Sequence, residues 1–132
     1  MLLTPTYHVF DLYKVYQDAT SLPVDLKSPW YGKEAVAIPS VSASAVRDSA
    51  GKIHIGLVNL DPNNAVAVTA KIAGMASGAV AGRVITAPAM NAVNTFEQPR
   101  VVTAQAFRDA RMEGDVLKVT LPAKSVVMLD GQ

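Results

Sequence analysis

Eleven carboxylate side chains offer the most obvious route to chemistry in this chain. Two carboxyl groups about 5–5.5 Å apart cleave glycosidic bonds with retention, one as acid/base and the other as nucleophile. The spacing of the acids does not advertise such a pair. Asp48, Asp61, Glu113, Asp115 and Asp130 fall in or beside stretches of turn composition, where Asp and Glu commonly cap backbone. Asp11 and Asp18 fall on the polar side of a helical pattern. Glu97 keeps unusual company in "TAPAMNAVNTFEQPRVV" (86–102), among two prolines, two asparagines and a phenylalanine. A solvated or backbone-capping role is expected for it.

Other routes to catalysis are thinner. His8 and His54 are far apart, and neither has a partner at metal-ligand spacing. No G-x-S-x-G elbow marks a serine nucleophile. His54 is expected to hydrogen-bond on a sheet face, and His8 to cover a helix's contact with a neighbour. The glycines of "GMASGAVAG" (74–82) lack the Lys-Ser/Thr of a phosphate loop and read as strand punctuation. With no cysteine, thiolate catalysis, disulfides and cysteine metal sites are excluded. We therefore assign no catalytic residue, no metal ligand and no cofactor. Trp30 and Tyr31, in "SPWYGK" (28–33), are the binding candidates, because an exposed aromatic pair can stack on the apolar face of a sugar. The competing expectation for the chain's single tryptophan is that a ring plugs the open end of a sandwich or covers an edge.

The elements that carry these residues follow from periodicity. Thr4-Pro5 is a helix entry, with a hydroxyl cap and proline at the first helical position. Val9, Leu12, Tyr13 and Tyr16 then recur at i, i+3, i+4 and i+7. Phe10 widens that stripe, and the helix should end near Asp18 to Ser21. So broad a stripe calls for a large partner. From Leu22 on, the period changes to two. Val41, Ala43 and Ala45 alternate with serines, and Val66, Val68, Ala70 and Ile72 alternate with Thr69 and Lys71. Leu117, Val119 and Leu121 alternate with Lys118 and Thr120. Residues 52–60 are apolar on both faces apart from Lys52, His54 and Asn59, as in a central strand. "GAVAGRVITA" (78–87) reads as one further strand. Turns are expected at 48–51, 61–64, 113–114 and 122–124. In all, one helix precedes some seven to nine strands with no crossover helices between them. The expected fold is mainly β, an antiparallel two-layer sandwich preceded by one N-terminal α-helix.

Size and charge agree. The chain has 132 residues, the length of one domain, and half of them are hydrophobic. The formal net charge of +1 gives no electrostatic case for nucleic acid or an anionic membrane. No apolar run approaches a membrane span. The start, "MLLTPTYHVF", lacks the basic region of a signal peptide and is expected to be a cut from a longer protein.

Four stretches together carry a resemblance: "LLTPTYHVFDLYKVYQDA" (2–19), "GLVNLDP" (56–62), "TAPAMNAVNTFEQPRVV" (86–102) and "LPAKSVVMLDG" (121–131). In this order they resemble α-L-arabinofuranosidases of glycoside hydrolase family 51. The first is similar to the last helix of that family's catalytic (β/α)₈ barrel, and the others to its C-terminal jelly-roll-like domain. The resemblance implies a division at residue 20, with 1–20 as a barrel helix and 21–132 as the C-terminal sandwich. It implies a parent that releases arabinofuranosyl groups from arabinan or arabinoxylan. The family's catalytic glutamates precede everything that matches here, so none is carried over. The 86–102 loop then becomes a scaffold corner, with Phe96 anchored in a core and Asn and Thr side chains satisfying its backbone. In the family the sandwich also recruits chain from before the barrel. Without it, the partners expected are the catalytic barrel and further copies of this chain, joined through an exposed sheet edge and the helix. The resemblance and the lack of cysteine favour a cytoplasmic setting.

Overall fold

The computed structural model describes residues 2–27, 29–33, 35, 37–72 and 74–131; of Tyr31 it describes the backbone. The chain opens with helix α1 (Pro5–Tyr13), extended by a 3-10 turn at Lys14–Tyr16. Thr4 caps it, its side chain accepting the Tyr7 N–H at 3.2 Å. Helical structure ends at Tyr16, short of the expected 18–21, because Gln17 is already extended (ψ 129°) and Asp18 follows in the left-handed region at φ 58°.

Thirteen strands follow among the described residues: β1 (Thr20–Leu22), β2 (Asp25–Lys27), β3 (Trp30–Tyr31), β4 (Ile38–Pro39), β5 (Val41–Arg47), β6 (Ile53–Asn59), β7 (Val66–Lys71), β8 (Gly78–Ala79), β9 (Ala81–Ile85), β10 (Gln105–Phe107), β11 (Ala110–Glu113), β12 (Val116–Leu121) and β13 (Ser125–Asp130). This exceeds the seven to nine expected, because several extended stretches are divided between sheets. "GAVAGRVITA" is two strands. β8 lies in one sheet and β9 in the other, and buried Val80 marks the crossing. Likewise β1 and β2 part at Pro23, which has no N–H to continue a ladder.

A six-stranded sheet A has the order β1-β5-β6-β13-β9-β10, and a five-stranded sheet B the order β2-β7-β12-β11-β8. A separate pair joins β3 and β4. Every pairing is antiparallel. The two sheets face each other across the main core, where Ile53, Ile55 and Leu57 of β6 meet Val66, Val68, Ala70, Leu117, Val119 and Leu121. Alternation is what buries them, since successive side chains leave a strand on opposite faces. β6 sits between β5 and β13 as the central strand its sequence predicts.

A second, smaller cluster lies on the outer face of sheet A. Leu12, Ile85, Val102 and Met128 are buried there, with Val9, Tyr13, Val15 and Tyr16 packed on them. The helical stripe expected to need an outside partner thus finds one in its own sheet. Gly56 permits this close seat, since a Cβ there would lie 2.6 Å from the Tyr13 hydroxyl. The Tyr16 hydroxyl ties helix to sheet, donating to the Ser44 carbonyl at 2.9 Å and accepting the Gly56 N–H at 3.0 Å. The opposite side of α1 faces out: Phe10 is 73% exposed.

Candidate functional site

The two acids that come nearest to a site converge on His54. Inward positions of β6 carry isoleucine and leucine, so His54 projects from the other face. The antiparallel register sets Asp130 of β13 opposite it. Its Nδ1 lies 2.7 Å from Asp130 Oδ1 and its Nε2 lies 2.8 Å from Asp48 Oδ2. Both contacts are satisfied together when both ring nitrogens carry protons. The other oxygen of Asp48 accepts the N–H groups of Ala50 and Lys52, each at 2.9 Å. The His54 hydrogen bond, with those of the Lys52 and Ala50 backbone, holds the Asp48 carboxyl below its usual range. A retaining pair needs a sugar between its carboxyls. Here the space is filled by a buried imidazole, so the trio staples the 48–51 turn to β6 and β13.

Asp61, Glu113, Asp11 and Asp115 serve turns and ion pairs. Asp61 Oδ1 accepts the N–H of Asn63 at 2.8 Å and of Asn64 at 3.1 Å, and these bonds, with the Asn64 side chain, lower its pKa. Glu113 joins Lys118 at 2.6 Å and Arg111 at 3.4 Å. Its pKa is lowered, chiefly by the Lys118 hydrogen bond. Asp11 joins Lys14 at 2.7 Å and Arg83 of β9 at 3.3 Å, linking the helix to sheet A. The Lys14 hydrogen bond is the main cause of its lowered pKa. Asp115 faces Lys71 at 3.5 Å, and Glu97 is exposed.

The 86–102 loop is a scaffold corner in its Asn and Thr residues and departs from expectation at its aromatic. Buried Asn94 donates through Nδ2 to the Leu3 and Val102 carbonyls, both at 2.8 Å, and accepts the Val102 N–H at 2.7 Å. It holds the loop to itself and to the segment before α1. Thr86 donates to the Ala123 carbonyl. Thr95 and Gln98 close a turn by two hydrogen bonds. That turn places Phe96 at its tip, 82% exposed. Phe96 is therefore not anchored in a core. The buried seat belongs to Asn94, whose three bonds composition alone does not reveal.

Trp30 is 69% exposed on the β3–β4 pair. The side chain of Tyr31 lies outside the described residues. Half-buried His8 meets Tyr7 edge to face, with ring centroids 5.4 Å apart.

The domain is an antiparallel sandwich with a helix on its outer face, and two of its acids, Asp48 and Asp130, are both held by His54. Residues 1–125 match the family described as "Alpha-L-arabinofuranosidase C-terminal domain". The chain belongs to that family. Within it, the chain is 39% identical over 133 residues to an intracellular exo-α-L-arabinofuranosidase of Bacteroides ovatus, covering 100% of this chain and 26% of that protein. Among solved structures, the GH51 arabinofuranosidase of Xanthomonas axonopodis pv. citri superposes with a TM-score of 0.92 at 46% identity, over 100% of this chain and 27% of that one. The GH51 α-L-arabinofuranosidase of Thermotoga petrophila shares the fold at a TM-score of 0.80 and 23% identity, over 99% of this chain and 29% of that one. The chain thus spans roughly a quarter of the length of the relatives it matches.

Proposed function

We propose that this domain is the non-catalytic C-terminal support of an α-L-arabinofuranosidase, and that the hydrolysis of arabinofuranosyl groups from arabinan or arabinoxylan resides on a barrel outside it. The observation that carries this is a whole-domain match to a family whose full-length relatives are almost four times longer. The placement of the acids supports it: the carboxyls that approach each other are held apart by His54.

The surface supports it too. Phe10 and Tyr7 of α1 face outward, as do Met90, Val93 and Phe96 of the loop that Asn94 ties to the segment before α1. Exposed apolar side chains on one structural layer mark an interaction face. We assign this face to contact with the catalytic barrel, with residues 1–20 as the barrel-derived helix laid on the sandwich that 21–132 form. A graft tests the assignment. Replacing the matching quarter of the Xanthomonas enzyme with this chain should give an active enzyme. Phe10→Ser with Phe96→Ser should lower its melting temperature by several degrees. Unchanged melting in that double variant would remove the face from the interface.

Without the barrel, the same face and the sheet edges should drive self-association. β1 covers β5 only from Ala45 to Arg47, and an uncovered edge accepts another strand. Light scattering should show oligomers that grow with concentration; a clean monomer at high concentration rejects this. A second function, sugar binding at the Trp30/Tyr31 hairpin, is favoured by the exposure of Trp30. Arabino-oligosaccharides that leave tryptophan fluorescence unchanged in the folded chain would eliminate it.

A further inference from the structure

The outer face of sheet B differs from that of sheet A. No helix lies on it among the described residues, and it forms an open trough of about 880 Å³. Sequence shapes the concavity. Several outward positions that line it are short: Ala67 and Thr69 on β7, Thr120 on β12 and Ala79 on β8. The register brings Thr69 beside Lys118, and Ala67 beside Thr120. Lys118 and Arg111 stand in one row between Thr69 and Ala79, and Arg108 and Asp109 line the trough beside the shorter Ala67–Thr120 row. Such a volume lies within the range of about 300–1,000 Å³ usual for ligand sites.

The charge is uneven. Arg111 and Lys118 share the carboxylate of Glu113. Arg108 and its chain neighbour Asp109 both line the trough, and with Arg111 and Lys118 set against Asp109 and Glu113 the cations outnumber the acids. The planar guanidinium of Arg108 matches a carboxylate in bidentate geometry, whereas the threonine hydroxyls match sugar hydroxyls.

We propose that this trough binds oligosaccharides bearing uronic-acid carboxylates, with Arg108 holding the carboxylate and Thr69 and Thr120 meeting the sugar hydroxyls. The proposal rests on the accessory-domain function for its polysaccharide class, and on the trough alone for the charge of its ligand. It gives the domain a way to hold an acidic polysaccharide while a separate domain cleaves it.

The test is a titration of the isotope-labelled 132-residue chain, followed by backbone amide shifts. One probe is a xylotetraose carrying a single glucuronic acid; the other is plain xylotetraose. Shifts should centre on Thr69, Arg108, Arg111 and Thr120. The acidic probe should bind about tenfold more tightly, the factor expected of one charged hydrogen-bonded contact. That advantage should shrink in about 0.5 M salt, where exposed charges are screened. Arg108→Ala should remove it, and Thr120→Glu should abolish binding of the acidic probe. Both sites are exposed, so melting curves should match the parent chain. Equal affinity for the two probes, shifts centred on Trp30, or no shifts at about 10 mM probe would each overturn the proposal. None of these outcomes touches the accessory-domain function, which is read from the melting of the grafted enzyme.

Discussion

The core between the sheets and the layer outside sheet A are both apolar, yet they are built on different terms. The first joins strands contributed by nearly the whole chain, and its residues sit at alternate positions of long ladders. The second is a short helix and an irregular loop laid on the back of one sheet. It is fixed by a few particular contacts: Tyr13 over Gly56, the Tyr16 hydroxyl between strands, and Asn94 under the loop. The first explains how the domain holds its fold. The second presents exposed aromatics at a defined place. A support domain needs both, a stiff interior and a shaped contact layer.

Substitutions can separate the two. Leu57→Ala and Leu117→Ala, both at fully buried positions, should each cost about 3–5 kcal/mol, a transfer loss plus a cavity. Urea unfolding should stay cooperative and shift as a whole. Leu12→Ala, also fully buried, should cost less, about 2–3 kcal/mol, because the thin outer layer can collapse on the gap. Gly56→Ala should cost about 1–3 kcal/mol by forcing Tyr13 off its seat. Hydrogen exchange in that variant should rise in α1 and leave β12 protected. Equal exchange in both would mean that the layers unfold as one unit.

Legibility in the sequence divides along the same line. Val66, Val68, Ala70 and Ile72 announce their strand face, and all four are buried. The helix entry at Thr4-Pro5 and the central position of residues 53–59 follow from similarly local patterns. The outer layer was less legible. Asn94 and Phe96 are two residues apart in a loop with no period, and which one goes inward depends on hydrogen bonds to Leu3 and Val102. The crossing at Val80 was hidden because both halves of "GAVAGRVITA" have strand composition. The His54 staple needed the β6–β13 register before Asp130 became its neighbour. In the trough, Ala67, Thr69, Thr120 and Arg108 are unremarkable singly and meaningful only once four strands are aligned.

Smaller effects sharpen the contrast further. Asn94→Ala should cost about 1–3 kcal/mol by leaving buried backbone groups unpaired, with proteolysis of the loop rising before that of the sandwich. Phe96→Ser should change stability by no more than about 0.5 kcal/mol, as for an exposed side chain, while reducing self-association. For Asp48 the sign follows from its lowered folded pKa. Its contribution is present above the ordinary carboxylate range near about pH 4 and is lost as pH falls through the folded value. Asp48→Asn should therefore flatten the acid limb of a melting-temperature profile and leave its alkaline limb in place. A variant with an unchanged acid limb would show that the staple does not contribute to acid sensitivity.

The most direct test of a purely supporting role is an assay of the purified chain against an aryl α-L-arabinofuranoside. We expect no turnover above that of buffer, at any pH at which the chain is folded. Turnover by the pure chain that disappears when one Asp or Glu is replaced by its amide would contradict the account.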